Sequence, residues 1–197
     1  MACGGPGVPP EVQALTEYEK GLEFKDRGSM QAAFEAFDAA IKLDSGMAEA
    51  YAERGHLALL FDNRVQALAD VNRAISLDAN LATAYNYKGV LMADTGNYDD
   101  AIINYSKAIE LDSSMDEAYF NRARVYFETQ DLDAALKDIS SAIEISPRSA
   151  GMYMTRGRIN VLAGNVTEAT LDFEQVIALT QDEVLVNEAR RMLALLR

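Results

Sequence analysis

The sequence predicts an all-α fold of tandem helical hairpins, on three observations. Segments 34 residues apart echo one another without insertion: EAYAERGHLAL at 49–59, TAYNYKGVLMA at 83–93, EAYFNRARVYF at 117–127 and GMYMTRGRINV at 151–161. Inside each period the apolar residues recur every three or four positions, the spacing that lines one face of a helix. Each period is also broken once near its middle by a polar or glycine-containing pair, so one repeat makes two helices, A and B, joined by a turn.

In chain order the hairpins cover 14–47, 48–81, 82–115, 116–149 and 150–183. In the first, Gly21 is the small residue of helix A, Gly28-Ser29 is the turn, and Ala33, Phe37 and Ala40 mark the packing face of helix B. The second repeats this with Gly55, Asp62-Asn63, Ala67, Val71 and Ala74, and opens on Tyr51 where the first has Glu17. The third reads Tyr85, Gly89, Gly96-Asn97, Ala101, Tyr105 and Ala108. The fourth reads Tyr119, Ala123, Gln130-Asp131, Ala135, Ile139 and Ala142, and the fifth Tyr153, Gly157, Gly164-Asn165, Ala169, Phe173 and Val176. A small residue on helix A recurs where two helices must approach closely, and a large one on helix B where a gap must be filled, as packing at about 8–10 Å requires. Beyond residue 183, VLVNEARRMLALLR opens like a sixth helix A. Residues 184–197 are expected to cap the apolar end of the stack, with an assembly surface as the alternative because this segment alone is basic.

The pattern resembles the tetratricopeptide repeat, a 34-residue helical hairpin with an aromatic, a Leu-Gly pair, a Tyr, an Ala, a Phe and a closing Pro at fixed offsets. The resemblance covers residues 14–183, with four departures: Tyr replaces the usual Trp, Glu17 replaces the first aromatic, Asn160 takes a Tyr position, and the closing proline survives only as Pro147. It implies a right-handed α-solenoid, a superhelix forming a single domain over 11–197 behind a flexible Gly/Pro-rich segment, 1–10. It also implies a scaffold for protein–protein interaction, with one stripe of every helix A lining a concave wall.

Composition narrows the function classes. Lys plus Arg number 18 against 31 Asp plus Glu, a formal charge of −13 that repels phosphate backbones and anionic lipid surfaces, so nucleic acid is not an expected partner. With one cysteine, Cys3, and one histidine, His56, the chain can build neither a disulfide framework nor a His/Cys metal site by itself. No phosphate-binding loop, zinc-binding His pair or nucleophile elbow is present, and neither an enzyme nor a cofactor is expected. The absence of a membrane-length apolar run or leader points to the cytoplasm, with lipid attachment at Cys3 after removal of a signal segment as the alternative.

Two sets of helix-A residues invite different readings. The first is a ladder of cations, Lys20, Arg54, Lys88, Arg122 and Arg156, each followed sixteen residues later by Ala36, Asp70, Asn104, Asp138 or Asp172. Asp stands opposite Arg and never opposite Lys, so Arg54–Asp70, Arg122–Asp138 and Arg156–Asp172 are expected to tie helix A to helix B, a geometry that suits the guanidinium fork.

The second set is the concave stripe, which varies between repeats while the packing positions do not. It collects Tyr18 and Leu22 from the first repeat, His56 from the second, and Asn86, Tyr87 and Val90 from the third. The fourth adds Phe120, Asn121 and Arg124, and the fifth Met154, Thr155 and Arg158. About a third of the wall is expected to be core, with Leu59 and Phe127 filling gaps. Its apolar, aromatic and Arg content suits a peptide segment with an acidic or carboxylate group and apolar anchors, held by Arg124 and Arg158 in equivalent places. The carboxylate clamp of chaperone-binding relatives needs Lys, Asn, Asn, Lys and Arg where this chain has Asn86, Val90, Asn121, Gly151 and Thr155, and only Asn121 fits, so the heat-shock chaperone tail is not the expected ligand. The alternative to an adaptor is a self-associating structural subunit, a weak homo-oligomer built through the cap.

Overall fold

The computed structural model describes residues 9–196, and among them are eleven α-helices and no strand. The expectations for Cys3 and for Arg197 in the cap fall outside the described residues. The helices fall into two compact units that part between Thr95 and Gly96. The first holds α1 (Pro10–Asp26), α2 (Met30–Leu43), α3 (Ala48–Leu60), α4 (Arg64–Leu77) and α5 (Ala82–Asp94). The second holds α6 (Tyr98–Leu111), α7 (Asp116–Glu128), α8 (Leu132–Ile145), α9 (Ala150–Ala163), α10 (Val166–Leu179) and α11 (Glu183–Leu195). Odd-numbered helices up to α9 are the A helices of the sequence repeat, even-numbered ones are the B helices, and α11 is the sixth A helix.

The turns obey the repeat as closely as the helices do. A left-handed residue follows within two positions of the end of each A helix up to α9, with φ of 74° at Gly28, 60° at Asp62, 76° at Gly96, 62° at Gln130 and 79° at Gly164. Glycine adopts this backbone without steric cost, Asp tolerates it, and at Gln130 a Cβ is accommodated against preference. The next residue opens helix B, and Asn63 and Asp131 cap it by accepting the N–H groups of Gln66 and Ala134 at 3.2 and 3.1 Å. Helix B ends in its turn on Asp44, Asp78 or Asp112, whose carboxylates accept the N–H of Gly46, Asn80 and Ser114 at 2.8, 2.8 and 2.9 Å. These local bonds reverse the chain every half-repeat.

Within the first unit α1 packs on α2, α2 on α3, α3 on α4 and α4 on α5, while α3 also touches α5. The second unit follows the same rule from α6 to α11, with α7 touching α9 and α9 touching α11. A Cβ built on Gly21 would enter the ring of Phe37, one on Gly157 would stand 2.7 Å from the ring of Phe173, and one on Gly55 would lie 3.0 Å from Val71. The fourth repeat, with Ala123 instead of glycine, has the slimmer Ile139 opposite, and both are fully buried. The Ala123–Ile139 pair thus shifts volume from helix B to helix A relative to Gly21–Phe37 and Gly157–Phe173. On α11 the same position is Arg191. A helix packing on α11 as α10 packs on α9 would meet that long side chain.

Gly157→Ala should gain about 1 kcal/mol of helix propensity but cost about 1–3 kcal/mol by overpacking Phe173. Thermal unfolding should show a lower Tm for this variant. Adding Phe173→Ile, which copies the Ala123/Ile139 pair, should restore much of the loss. A single variant as stable as the wild type would contradict the volume argument.

Candidate functional site

The predicted ion pairs all form. Arg54 donates from Nε and Nη2 to the two oxygens of Asp70 at 2.8 and 2.8 Å, and Arg122 does the same to Asp138 at 2.6 and 2.9 Å. Arg156 reaches Asp172 at 2.7 Å. The three aspartates are each 3% exposed. Asp70 first, and Asp138 likewise, hold the Arg54 and Arg122 guanidiniums above their ordinary pKa, against the opposing effect of burial.

A further link leaves no mark in the pairing of charge types. Arg54 Nη1 donates to Asp38 at 2.6 Å and Arg122 Nη1 to Ser106 Oγ at 2.7 Å, both sixteen residues upstream. Each of these arginines therefore ties its own helix B to the helix B before it. At Arg156 the arrangement differs: Asn160 donates to Asp172 at 3.0 Å and accepts from Asn165 at 3.2 Å, which gives the departure at Asn160 a structural role. The same arginines stand over tyrosines one turn earlier, with ring distances of 5.5 Å for Arg54–Tyr51, 5.9 Å for Arg122–Tyr119 and 5.4 Å for Arg156–Tyr153. In the first repeat Glu17 and Lys20 form a 2.7 Å ion pair at those two places.

The stripe residues of the first unit are largely occupied by one another. Tyr18 packs on Phe37 at 5.6 Å between ring centroids, and Leu22 lies against the same cluster. Burial, then Glu53 and Glu49, push the Tyr18 hydroxyl up to about 12. His56 stacks on Tyr87 at 4.3 Å. Glu53, unmarked by any repeat, is buried between these helices, accepting from Tyr87 Oη at 3.0 Å and from Lys25 Nζ at 2.7 Å. Tyr87 and Asn86 were expected on the open wall and are buried, at 7% and 2% exposure, Tyr87 because it belongs to this internal network. Val90 is half-buried.

In the second unit Met154 is likewise buried, because α11 lays Ala189 over the cluster in which it sits. Thr155 turns its hydroxyl back to the Gly151 carbonyl at 2.9 Å. Leu59 and Phe127 pack against core clusters, as expected of gap-filling residues. Phe120 and Asn121 are half-buried and Arg124 is exposed, its guanidinium 5.9 Å from the centre of the Phe120 ring. Among the described residues Arg124 makes no ion pair. Arg158, its equivalent in the next repeat, was expected to await a ligand but is held by Glu188 of α11 at 3.2 Å.

Hairpins of this construction, repeated with fixed packing positions and a variable stripe, define a helical-repeat scaffold. Family models described as "TPR repeat" and "Tetratricopeptide repeat" match residues 91–130 and 116–149, so the chain contains tetratricopeptide repeats. No curated protein matches the sequence. Solved structures match in fold: the APC/C heterotetramer Cut9–Hcn1 superposes with a TM-score of 0.85 at 16% identity over 93% of this chain, which spans only 36% of that one. PilF of Pseudomonas aeruginosa gives 0.79 at 14% identity, over 96% of this chain and 90% of that one. YrrB, described as a TPR protein with an unusual peptide-binding site, gives 0.62 at 20% identity, over 90% and 92%. The fold is that of protein-interaction repeats. No described helix is long and apolar enough to cross a membrane.

His56 supplies a pH test of the first unit. Its Nδ1 is buried without a hydrogen-bond partner, and burial, reinforced by Lys25 and opposed by Glu53, holds its pKa below the ordinary 6.5. The unfolded chain therefore binds the proton more readily. The stabilisation is complete above about pH 6.5 and is lost as pH falls toward the lower folded-state value. The Tm of the wild type minus that of His56→Leu should decrease over that interval, and a difference independent of pH would contradict this assignment.

Proposed function

We propose that the chain is a non-catalytic scaffold that holds a segment of a partner protein on its helix-A stripe, with an acidic group of the segment on Arg124 and apolar side chains beside Phe120. The state of Arg124 carries this reading. Arg54, Arg122, Arg156 and Arg158 all hold carboxylates of the chain itself, whereas Arg124 is exposed and supported only by an aromatic ring. In a molecule of charge −13 such a cation is best placed for an anion from outside. A guanidinium fork suits a carboxylate, and Arg and aromatic side chains are common hot spots of protein interfaces. Asn121 and Thr155 flank it on the same stripe. Tyr18 packs its ring on Phe37 and His56 stacks on Tyr87, so the anchor is assigned to the second unit. The heat-shock chaperone tail and nucleic acid are not the proposed ligands, since the clamp residues and the positive charge they need are missing.

Self-association is the second reading, favoured by Val184 and Leu195 on α11, which are 75% and 74% exposed. Light scattering across a concentration series separates the two, because a monomer throughout removes it.

Peptides selected by the wild type from a random display library should combine Asp or Glu with Leu, Ile, Met or Phe, and bind more weakly as salt rises. Arg124→Glu should reduce their affinity about tenfold or more while moving the stability by less than about 0.5 kcal/mol, as befits an exposed position. Equal binding by this variant would remove Arg124 from the site.

A further inference from the structure

The repeat contains an internal comparison between two arginines in equivalent places. Arg124 and Arg158 are 34 residues apart, on α7 and α9. Thirty residues beyond each, on the next A helix, stand Met154 and Glu188. In the later pair the geometry is completed: Arg158 Nη2 lies 3.2 Å from Glu188 Oε1. In the earlier pair the equivalent side chain is a buried thioether with no oxygen to offer. The same step of the fold thus leaves one guanidinium filled and the other open.

We infer that Glu188 is a specificity-determining residue: α11 uses it to fill the second of two anion positions on the stripe, so that a bound segment is read by one carboxylate, at Arg124, and not by two. This inference rests on the reading of Arg124 as an anion anchor. The Arg158 and Glu188 side chains are 55% and 27% exposed, so solvent and a ligand can reach the pair. A solvent-facing pair of this kind is held loosely. Because Glu188 is attached to the same chain, its carboxylate is present at a high effective concentration and outcompetes a weak free anion. Removing its charge while keeping its shape opens the second position. A segment with a second acidic side chain, about 10 Å further on, could then be accepted, that being the separation of neighbouring helices.

Acetate titrated at constant ionic strength, with chloride making up the balance, tests this without a partner protein. The readout is the Nε–H resonance of each arginine in the NMR spectra of the wild type and Glu188→Gln. Arg54, Arg122 and Arg156 serve as internal references held by buried aspartates. In the wild type acetate should shift Arg124 saturably and leave Arg158 still. In Glu188→Gln both should shift, Arg158 to an extent comparable with Arg124. An Arg158 resonance that stays still in the variant, or that already follows Arg124 in the wild type, overturns the role given to Glu188. A silent Arg124 together with a responsive Arg158 in the variant supports the filling by Glu188 and overturns the anchor at Arg124.

Discussion

Two adjacent residues on helix A meeting two adjacent residues on helix B hold three of the hairpins closed. Arg54-Gly55 meets Asp70-Val71, Arg122-Ala123 meets Asp138-Ile139, and Arg156-Gly157 meets Asp172-Phe173. The small residue lets the helices approach until the large one fills the space, and that approach brings the carboxylate into the reach of the guanidinium fork. The fork in turn satisfies a buried carboxylate that would otherwise be costly. At Arg54 and Arg122 the remaining nitrogen reaches back to the previous helix B, which converts a contact within one hairpin into a contact between hairpins. In the first repeat, one of the two without the fork, the Ala36 position carries no charge and Lys20 pairs locally with Glu17.

This division of labour explains why so much of the fold can be read from one chain. A contact made five times leaves five traces, so the small and large packing positions, the left-handed turn residues and the Arg–Asp pairing are all visible as agreement between repeats. The turn at Gln130 is identified by register although the residue itself argues against a left-handed backbone. The link from Arg54 to Asp38 was equally regular in sequence, but the upstream position alternates between Asp, Asn and Ser, so no pairing of charge types marks it.

Contacts made only once leave no such trace. Glu53 holds Lys25 and Tyr87 in a single arrangement, and the pairing of Arg158 with Glu188 is made at one step of the repeat, to α11. Periodicity places Asn86, Tyr87 and Met154 on the variable stripe correctly in register, yet exposure depends on which neighbours happen to cover them. Tyr87 is covered through its hydroxyl bond and its stack on His56, and Met154 through the packing of α11. The candidate site is therefore legible as a set of variable positions, and its open part emerges only when the singular contacts are known. Arg124 stands out because Arg158, in the equivalent place one repeat later, has been given a carboxylate by the chain.

A double-mutant cycle on Arg122 and Asp138 tests most directly the claim that the ladder arginines are scaffold and the stripe residues are free to bind. Chemical denaturation of Arg122→Ala, Asp138→Ala and the double variant should show each single change destabilising by more than Lys88→Ala, and a coupling of about 1 kcal/mol or more between the two. Additive losses, with Arg122→Ala no more damaging than Lys88→Ala, would contradict the account and return Arg122 to the binding surface.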